Sequence, residues 1–320
     1  MYINLNTYQE KVTGMKNYEN INEGNSGLTA KEKKTPGVTA LTYRKLKEWK
    51  KRCQEKGYLV PYFPTKAVSS VGLATKHAPS EKSIVPLEAL SKLESGFLKA
   101  LLFLPNVKKI AMQIPLDDID KTVKIAKEKG IRHPAYNPKG NISKEHAVYQ
   151  FTPMTTDVLM TYTDANNIEV KHAISLKCLN RNGRLGATDK KIERINDKHE
   201  IERQYWLDKG VSWSLITSEH YLLGYYFQEN LAKAYILGRR EHPKQKLNKV
   251  KKEIVIIFEH SEYITLLKLC ELVSHATEIE TGLVRVIFWH LIWHNEISVD
   301  LHREIGSYHI LYPKKGDVWF

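Results

Sequence analysis

Two segments of alternating apolar and polar residues, 154–162 and 168–177, constrain the fold more than any other feature of the chain. Alternation with a period of two predicts β-strands. The break between them, 163–167, has the Asp and Asn residues of tight turns. We therefore predict an antiparallel hairpin with one apolar face, formed by Val158, Met160, Tyr162, Ile168, Val170, Ile174 and Leu176.

The register of this hairpin follows from its apolar face, because a one-residue slip would turn that face to solvent. A turn centred near Asn166 places Asp157 opposite Ser175, with Lys177 on the next diagonal of the same face. An aspartate and a lysine on adjacent strands form the arrangement of PD-(D/E)xK nucleases, where the carboxylate holds a divalent metal and the lysine steadies the attacking water. An ordinary cross-strand salt bridge would give the same pattern.

Length and charge bound the class of protein. With 320 residues, two domains are expected, and 42% hydrophobic residues suffice for their cores. A net charge of +13 and a pI near 9.3 favour a polyanionic partner such as DNA, although a merely basic soluble protein would share them.

Cysteine usage and hydropathy indicate the compartment. Cys53, Cys178 and Cys270 are far apart, which favours a reducing environment and argues against a zinc site. No apolar run has the length of a membrane span, and the N-terminus lacks the pattern of a signal peptide. We expect a cytoplasmic bacterial protein, associated with the nucleoid.

The N-terminal part divides into a polar tail over 1–37, an extension over 38–85 with a basic helix from Thr39 to Lys56, and a helix over 86–103 that begins near Pro86. On that helix Glu94 shares a face with Phe97 and Leu101. A carboxylate on an apolar face is costly unless a cation compensates it. Glu94 is thus either a rim residue or a third member of the Asp157 and Lys177 set.

The segment 86–217 predicts an α/β domain with the element order of restriction endonucleases. A strand over 107–116 precedes the hairpin, and a helix over 188–209 and a strand over 211–217 follow it. Thr188 is a plausible N-cap of that helix. The basic residues of that helix, Arg194, Lys198 and Arg203, either face DNA phosphates or pair along the helix with acidic residues. We expect pairing for most of them, with Glu193, Glu200 and Glu202 as the available acids.

The segment 218–320 predicts a helical, winged-helix-like domain. Helices over 221–237, 261–275 and 281–294 are followed by a strand pair over 297–303 and 308–312, while 238–253 is a basic linker or DNA-facing arm. A metal site at His290, His294 and His302 is disfavoured, because no carboxylate or cysteine accompanies them. Candidate DNA-binding residues lie here and in the loop after the hairpin: Arg181, Arg184, Arg239, Arg240, Lys244 and Lys246.

Several stretches together resemble one family, TnsA, the endonuclease subunit of heteromeric transposases. They occur in the family's order: Leu93-Glu94, Gln113-Ile114-Pro115-Leu116, Gly130-Ile131-Arg132-His133-Pro134, Met154-Thr155-Thr156-Asp157, the strand ending at Lys177, and 200–206. The resemblance covers about residues 70 to 217 well, and the C-terminal part by its helix and wing pattern.

The resemblance implies a PD-(D/E)xK endonuclease that nicks the 5′ ends of a transposon while the partner transposase TnsB cuts and joins the 3′ ends. It implies that the C-terminal domain engages the ATP-dependent regulator TnsC. By position, Glu94, Asp157 and Lys177 match the catalytic set. Mg²⁺, with Mn²⁺ as a substitute, would be held by Glu94, Asp157 and the backbone carbonyl of Leu176.

Two positions depart from the family pattern. Ser175 stands where Gln or Glu is common, and a hydroxyl is a weaker metal ligand; Met112 stands where an acid is common. These departures leave two alternatives open: a catalytically inert winged-helix DNA-binding or adaptor protein, and a stand-alone restriction-type nuclease that cuts without partners.

Overall fold

A computed structural model describes residues 40–62, 75–136, 150–261 and 263–313. The predicted tail over 1–37 lies outside the described residues, as does part of the extension over 38–85. The first described element is the expected basic helix, α1 (Ala40–Lys56). Strands β1 (Thr75–His77) and β2 (Leu87–Ala89) then pair with each other ahead of helix α2 (Lys92–Phe103).

A four-stranded sheet forms the centre of the N-terminal half, which is a mixed α/β structure as predicted. Its strands are β3 (Val107–Pro115), β6 (Thr155–Thr163), β7 (Glu169–Lys177) and β8 (Ser212–Thr217), in the order β3-β6-β7-β8. The pairs β3–β6 and β6–β7 are antiparallel, and β8 runs parallel to β7. Helix α3 (Ile119–Glu128) and a two-stranded ladder of β4 (Ala135–Tyr136) and β5 (Gln150–Phe151) lie between β3 and β6 in the chain.

The predicted hairpin and its register are confirmed. Val158 pairs with Ile174 and Met160 with His172, which is the register of a turn centred on Asn166. The Asp164 carboxylate closes this turn by accepting hydrogen bonds from the backbone N–H groups of Asn166 (2.9 Å) and Ile168 (2.8 Å). Asn167 has a φ of 61°, a left-handed conformation that Asn adopts more readily than most residues.

Hydrophobic residues cover both faces of the sheet. On one face, a first cluster combines Met112, Val158 and Ile174 with α2 and the C-terminal helices. On the other face, a second cluster combines Ile114 and Ala173 with α1 and with helix α4 (Asp189–Leu207). Thr188 caps α4 as predicted, since its side chain accepts from the N–H of Lys191.

Helix α2 begins later than the sequence indicated. Pro86 precedes strand β2 instead of opening the helix, and Ser91 is the N-cap. Ser91 is the better helix start because its hydroxyl accepts a hydrogen bond from the N–H of Glu94 (3.2 Å). The prediction of a helix from Pro86 is therefore wrong for its first turns.

The C-terminal half is mainly helical, with helices α5 (Tyr225–Gly238), α6 (Lys244–His260), α7 (Leu266–Thr277) and α8 (Thr281–Trp293). A 3-10 turn (Tyr221–Leu223) precedes α5, so the predicted helix over 221–237 is interrupted at Gly224. Most of the predicted basic linker over 238–253 belongs to α6, which packs Val250 and Ile254 into the first cluster.

The predicted strand pair near the C-terminus takes a different form. Strand β10 (Ile310–Leu311) pairs with β9 (Ile264–Thr265), and only a single bridge joins Val299 to Pro313. No helix within the described residues is long and apolar enough to cross a membrane.

Candidate active site

Glu94 stands in the first turn of α2, where local hydrogen bonds fix its carboxylate. One oxygen accepts from the backbone N–H of Leu90 (2.9 Å) and the other from the Ser91 hydroxyl (2.9 Å). Burial raises the pKa of Glu94, and the negative charge of Asp157 adds to the rise, while these hydrogen bonds and the Lys177 ammonium oppose it. Glu94 is therefore both a helix-capping residue and an electrostatic neighbour of the predicted site.

Asp157 lies at the end of the β6–β7 pairing. One of its carboxylate oxygens accepts a hydrogen bond of 2.7 Å from the backbone N–H of Leu176. Burial raises the pKa of Asp157, although the nearby Lys177, the Leu176 N–H and a hydrogen bond from the Gln113 side chain oppose that rise. A second anionic group close by raises the cost of the charged form, which is the situation that a divalent cation relieves.

Lys177 is the last residue of β7 and is half-buried. Its positive charge lowers the pKa of both Glu94 and Asp157, so the structure brings the three predicted residues into one electrostatic group. Within the part of the chain that the structure describes, the Lys177 ammonium forms no ion pair. A simple cross-strand salt bridge is thus not what the hairpin forms.

Ser175 is not hydrogen-bonded to Glu94, Asp157 or Lys177 among the described contacts. It bonds instead to Glu202, an acid that the sequence analysis did not assign to this site. Its hydroxyl donates to the carboxylate of Glu202 on α4, with distances of 2.8 and 2.7 Å to the two oxygens. The Thr156 hydroxyl donates to the same carboxylate (2.7 Å), and the Trp206 indole N–H donates to Thr156 (2.6 Å). Burial, reinforced by Asp157, raises the pKa of Glu202 to about 7.

Glu202 was expected on the solvent face of its helix, paired with neighbouring basic residues. That expectation is wrong for Glu202, which is 3% exposed, and right for Glu200, which holds an ion pair with Arg203 (2.8 Å). The helical spacing of the buried Ile201, Tyr205 and Trp206 could have placed Glu202 near the apolar face. The hydroxyls that satisfy its carboxylate come from distant strands and could not be read from the helix.

The carboxylate oxygens of Glu94 and Asp157 are suitable ligands for a hard cation such as Mg²⁺. Among the described residues, no three His, Cys, Asp or Glu side chains are grouped so as to hold a metal ion by themselves, as the ligands of a zinc site do. Mg²⁺ needs less, since it keeps several waters and is bound through one or two carboxylates together with substrate phosphates. The carboxylates of Glu94 and Asp157, whose charges are both disfavoured by burial, fit that requirement.

His290, His294 and His302 of the C-terminal half have different ring neighbours. The rings of His290 and His294 lie 4.3 Å apart between centroids, but His302 instead stacks on Phe227, with centroids 4.8 Å apart. The three therefore form no common ligand set.

The candidate DNA-binding residues are all exposed, but two of them have local partners. Arg184 pairs with Asp189, and Arg239 lies over the Tyr235 ring, 5.0 Å from its centroid. The others lie in three places: Arg181 in the loop after β7, Arg240 between α5 and α6, and Lys244 and Lys246 in the first turn of α6.

Comparison with known proteins assigns both halves. The family described as TnsA-like endonuclease N terminal matches residues 104–218, and the one described as TnsA endonuclease C terminal matches residues 229–301. The transposon Tn7 transposition protein TnsA of Escherichia coli is 26% identical over 243 residues, which span 75% of this chain and 78% of that protein. The chain belongs to the TnsA endonuclease family.

Membership of the TnsA family makes the chain an endonuclease. Three of the residues discussed above, Asp157, Lys177 and Glu202, lie within the first matched range, whereas Glu94 lies before it. The second matched range runs from α5 past the end of α8. The resemblance that the sequence motifs indicated is thereby confirmed.

Proposed function

We propose that this TnsA-family endonuclease nicks the 5′ ends of a transposon, on the non-transferred strand, with Glu94, Asp157 and Lys177 as its active site in a PD-(D/E)xK fold. The observation that carries the proposal is that one helix and two paired strands bring two carboxylates and one lysine into a single electrostatic group, and that this lysine has no ion pair with any residue the structure describes. That combination supports metal-assisted hydrolysis of a phosphodiester.

Each residue of the proposed active site has a role that follows from its chemistry. Asp157 and Glu94, with the backbone carbonyl of Leu176, would hold Mg²⁺, for which Mn²⁺ can substitute. When bound, the ion would polarise the scissile phosphate and lower the pKa of water. Lys177 positions that water and stabilises negative charge on the phosphate. The Leu176 N–H keeps one oxygen of Asp157 in place at 2.7 Å.

Ser175 contributes indirectly in this scheme. Because its hydroxyl is committed to Glu202, we propose no direct bond from Ser175 to the metal. Glu202 instead keeps the ends of β6 and β7 together through Thr156 and Ser175. This accounts for a family member that lacks Gln or Glu at position 175.

The partners follow from the family. We propose that TnsB cuts and joins the 3′ ends, and that the C-terminal half engages TnsC in a winged-helix-like arrangement, beside transposon-end DNA. The order of a short strand, two helices and a returning strand in 264–313 supports that arrangement. We place the complex in the bacterial cytoplasm, at the nucleoid.

The decisive test is the variant Asp157→Ala. We expect 5′-end nicking in the reconstituted transposition reaction to fall at least about a hundredfold, because the carboxylate that holds the cation is gone. The melting temperature should stay the same or rise, since burial disfavours the charge of Asp157. Binding to TnsC, measured by co-purification, should be unchanged.

The matched control is Glu169→Ala, which removes an exposed acid at the other end of the same hairpin and should cut normally. Nicking by Asp157→Ala at the wild-type rate would refute the assignment and leave the adaptor alternative. Efficient cutting by the wild-type protein without its partners would instead favour the stand-alone nuclease.

A further inference from the structure

Gln113 has an unusual backbone conformation for its position. It lies within strand β3, and yet its φ is 52°, in the left-handed region that side-chain-bearing residues rarely adopt. The side chain is 6% exposed, so neither solvent nor a surface turn explains the conformation. Strained backbone of this kind persists only where surrounding contacts fix it, and it concentrates at functional sites.

The conformation changes which face of the sheet the strand presents. Before Gln113, Ile110 and Met112 belong to the first cluster; after it, Ile114 and Leu116 belong to the second. A regular strand would keep all four even-numbered residues on one face. Gln113 is therefore the point at which the side-chain alternation of β3 changes phase.

The partner strand changes face at the neighbouring position. Val158 and Met160 of β6 lie in the first cluster, whereas Thr156 turns to Glu202 and Trp206 of α4 on the opposite face. Met112 pairs with Val158 and Ile114 with Thr156, which places Gln113 directly across from Asp157. The two residues thus sit at a shared break in two adjacent strands.

Contacts hold Gln113 at both its backbone and its side chain. Its carbonyl oxygen accepts a hydrogen bond of 2.9 Å from the N–H of Tyr62, in the segment that follows α1. Its side chain lies on the strand position across from Asp157, and hydrogen bonding from that side chain lowers the pKa of the Asp157 carboxyl. The first contact fixes where the residue sits, and the second directs a buried donor to the acid of the proposed active site.

We propose that Gln113 is a positioning residue, whose left-handed backbone directs its amide to Asp157 and orients that carboxylate for a divalent cation. The inference rests on the proposed role of Asp157. Glycine adopts the same φ without a clash of its Cβ, so a chain that needed only the bend would be better served by glycine. The presence of glutamine at this position is explained if its side-chain amide is needed to orient Asp157.

Two variants separate the amide from the bend. Gln113→Met keeps the volume and the backbone strain but removes the donor, whereas Gln113→Gly removes both the donor and the strain. We expect both to bind Mg²⁺ about tenfold more weakly than wild type, as is typical when a group that orients a metal ligand is lost. Binding is measured calorimetrically on the full chain, with Mg²⁺ alone, and Gln113→Gly should melt at or above the wild-type temperature.

Asn167→Gly is the matched control. Asn167 has a φ of 61° at the hairpin tip, away from Asp157, so glycine there relieves a comparable conformation without touching the site. This variant should bind Mg²⁺ and cut DNA like wild type. In both Gln113 variants, the Mg²⁺ concentration for half-maximal nicking should shift in parallel with the calorimetric affinity.

Wild-type Mg²⁺ affinity in a folded Gln113→Met or Gln113→Gly protein would overturn the inference. Loss of folding in both would also overturn it, by making Gln113 a purely structural residue. Asp157→Ala distinguishes a failure of the role of Gln113 from a failure of the proposed active site. If it abolishes Mg²⁺ binding while the Gln113 variants bind normally, only the role of Gln113 fails; if Mg²⁺ binding survives in Asp157→Ala, the proposed active site fails with it.

Discussion

Single carboxylates in this protein differ sharply in their environments, and neighbouring residues of α4 illustrate this. Glu200 is a half-buried surface acid, paired with Arg203 and Lys129 at 2.8 Å each. Glu202 is buried, and its carboxylate accepts from two hydroxyls but from no cation within the described part of the chain. A buried carboxylate without a cation resists ionisation, so the two acids should affect stability in opposite directions as the pH changes.

The first residue-scale prediction concerns Glu202→Gln. The pKa of Glu202 is raised from 4.5 to about 7, so the folded state holds a proton that the unfolded state loses. Its stabilising effect is complete below about pH 4 and is lost as the pH rises towards 7. In metal-free buffer, Glu202→Gln should come nearest to wild type at about pH 4 and exceed it by up to ~3 kcal/mol at pH 8, measured by urea unfolding.

Glu200→Gln is the control, because the effect of Glu200 on stability should change with pH in the opposite direction. Although burial alone would raise it, the pKa of Glu200 is lowered by Arg203 and Lys129. The pair therefore stabilises the fold above the ordinary glutamate pKa and is lost in acid. Glu200→Gln should be less stable than wild type at pH 8. A pH-independent difference between Glu202→Gln and wild type would contradict the assigned environment of Glu202.

At the scale of elements, helix α1 is tied to the sheet by one aspartate. Asp117, just after β3, accepts from Lys50 of α1 (2.8 Å), from the Tyr205 hydroxyl of α4 (2.6 Å) and from Lys209 (2.9 Å). Burial alone would raise its pKa, but these three partners outweigh it and hold the pKa well below the ordinary value. Asp117 thus joins three separate segments beside the second cluster.

Asp117→Asn should therefore loosen α1. We expect a loss of about 1–3 kcal/mol at neutral pH, because a half-buried set of charge-assisted hydrogen bonds is broken. With a lowered pKa the stabilisation is present above pH 4 and fades as the pH falls, so the difference from wild type should shrink in acid. Hydrogen exchange of the α1 amides should accelerate most. Unchanged exchange in α1 would show that its other contacts hold the helix, among them the hydrogen bond from the Tyr43 hydroxyl to Asp120 (2.6 Å).

The elements also show what the sequence could and could not reveal. The hairpin was predictable with its register, because alternation and turn chemistry are local. The helix α6 was missed, although Leu247, Val250, Ile254 and Phe258 recur at helical spacing within the basic stretch. The left-handed conformation of Gln113 could not be predicted from the sequence. A left-handed residue within a strand leaves no local pattern, and this one depends on contacts with Tyr62 and Asp157.

At the scale of the molecule, the two halves share helix α2. Its Gly96 packs so closely on α5 that an added Cβ would lie 2.7 Å from the Gln228 side chain, and the Gln228 amide donates to the Gly96 carbonyl (3.2 Å). Phe97, Leu98 and Leu101 of α2 lie in one cluster with Phe227 and Leu231 of α5. The helix that carries Glu94 is thus held from the C-terminal half.

A chain truncated after residue 217 should accordingly lose the ordered site. We expect it to bind a hydrophobic dye strongly and to unfold at a lower temperature and with less cooperativity than the full chain, because α2 loses its contacts with α5. Adding the 218–320 fragment should restore a compact state if the fragment folds. A truncated chain that melts like the full protein would show that α2 is supported by the sheet alone.

The contact between Gly96 and Gln228 also affects how the protein is made. A growing chain can complete β6 and β7 as soon as residue 177 has left the ribosome, but α2, the helix that carries Glu94, cannot complete its packing until α5 has followed. Segments emerge in order, and each structural unit forms once all of its parts are available. A nascent or prematurely terminated chain would therefore lack the final packing of α2 around the proposed active site, and only a nearly complete polypeptide could become competent to cut.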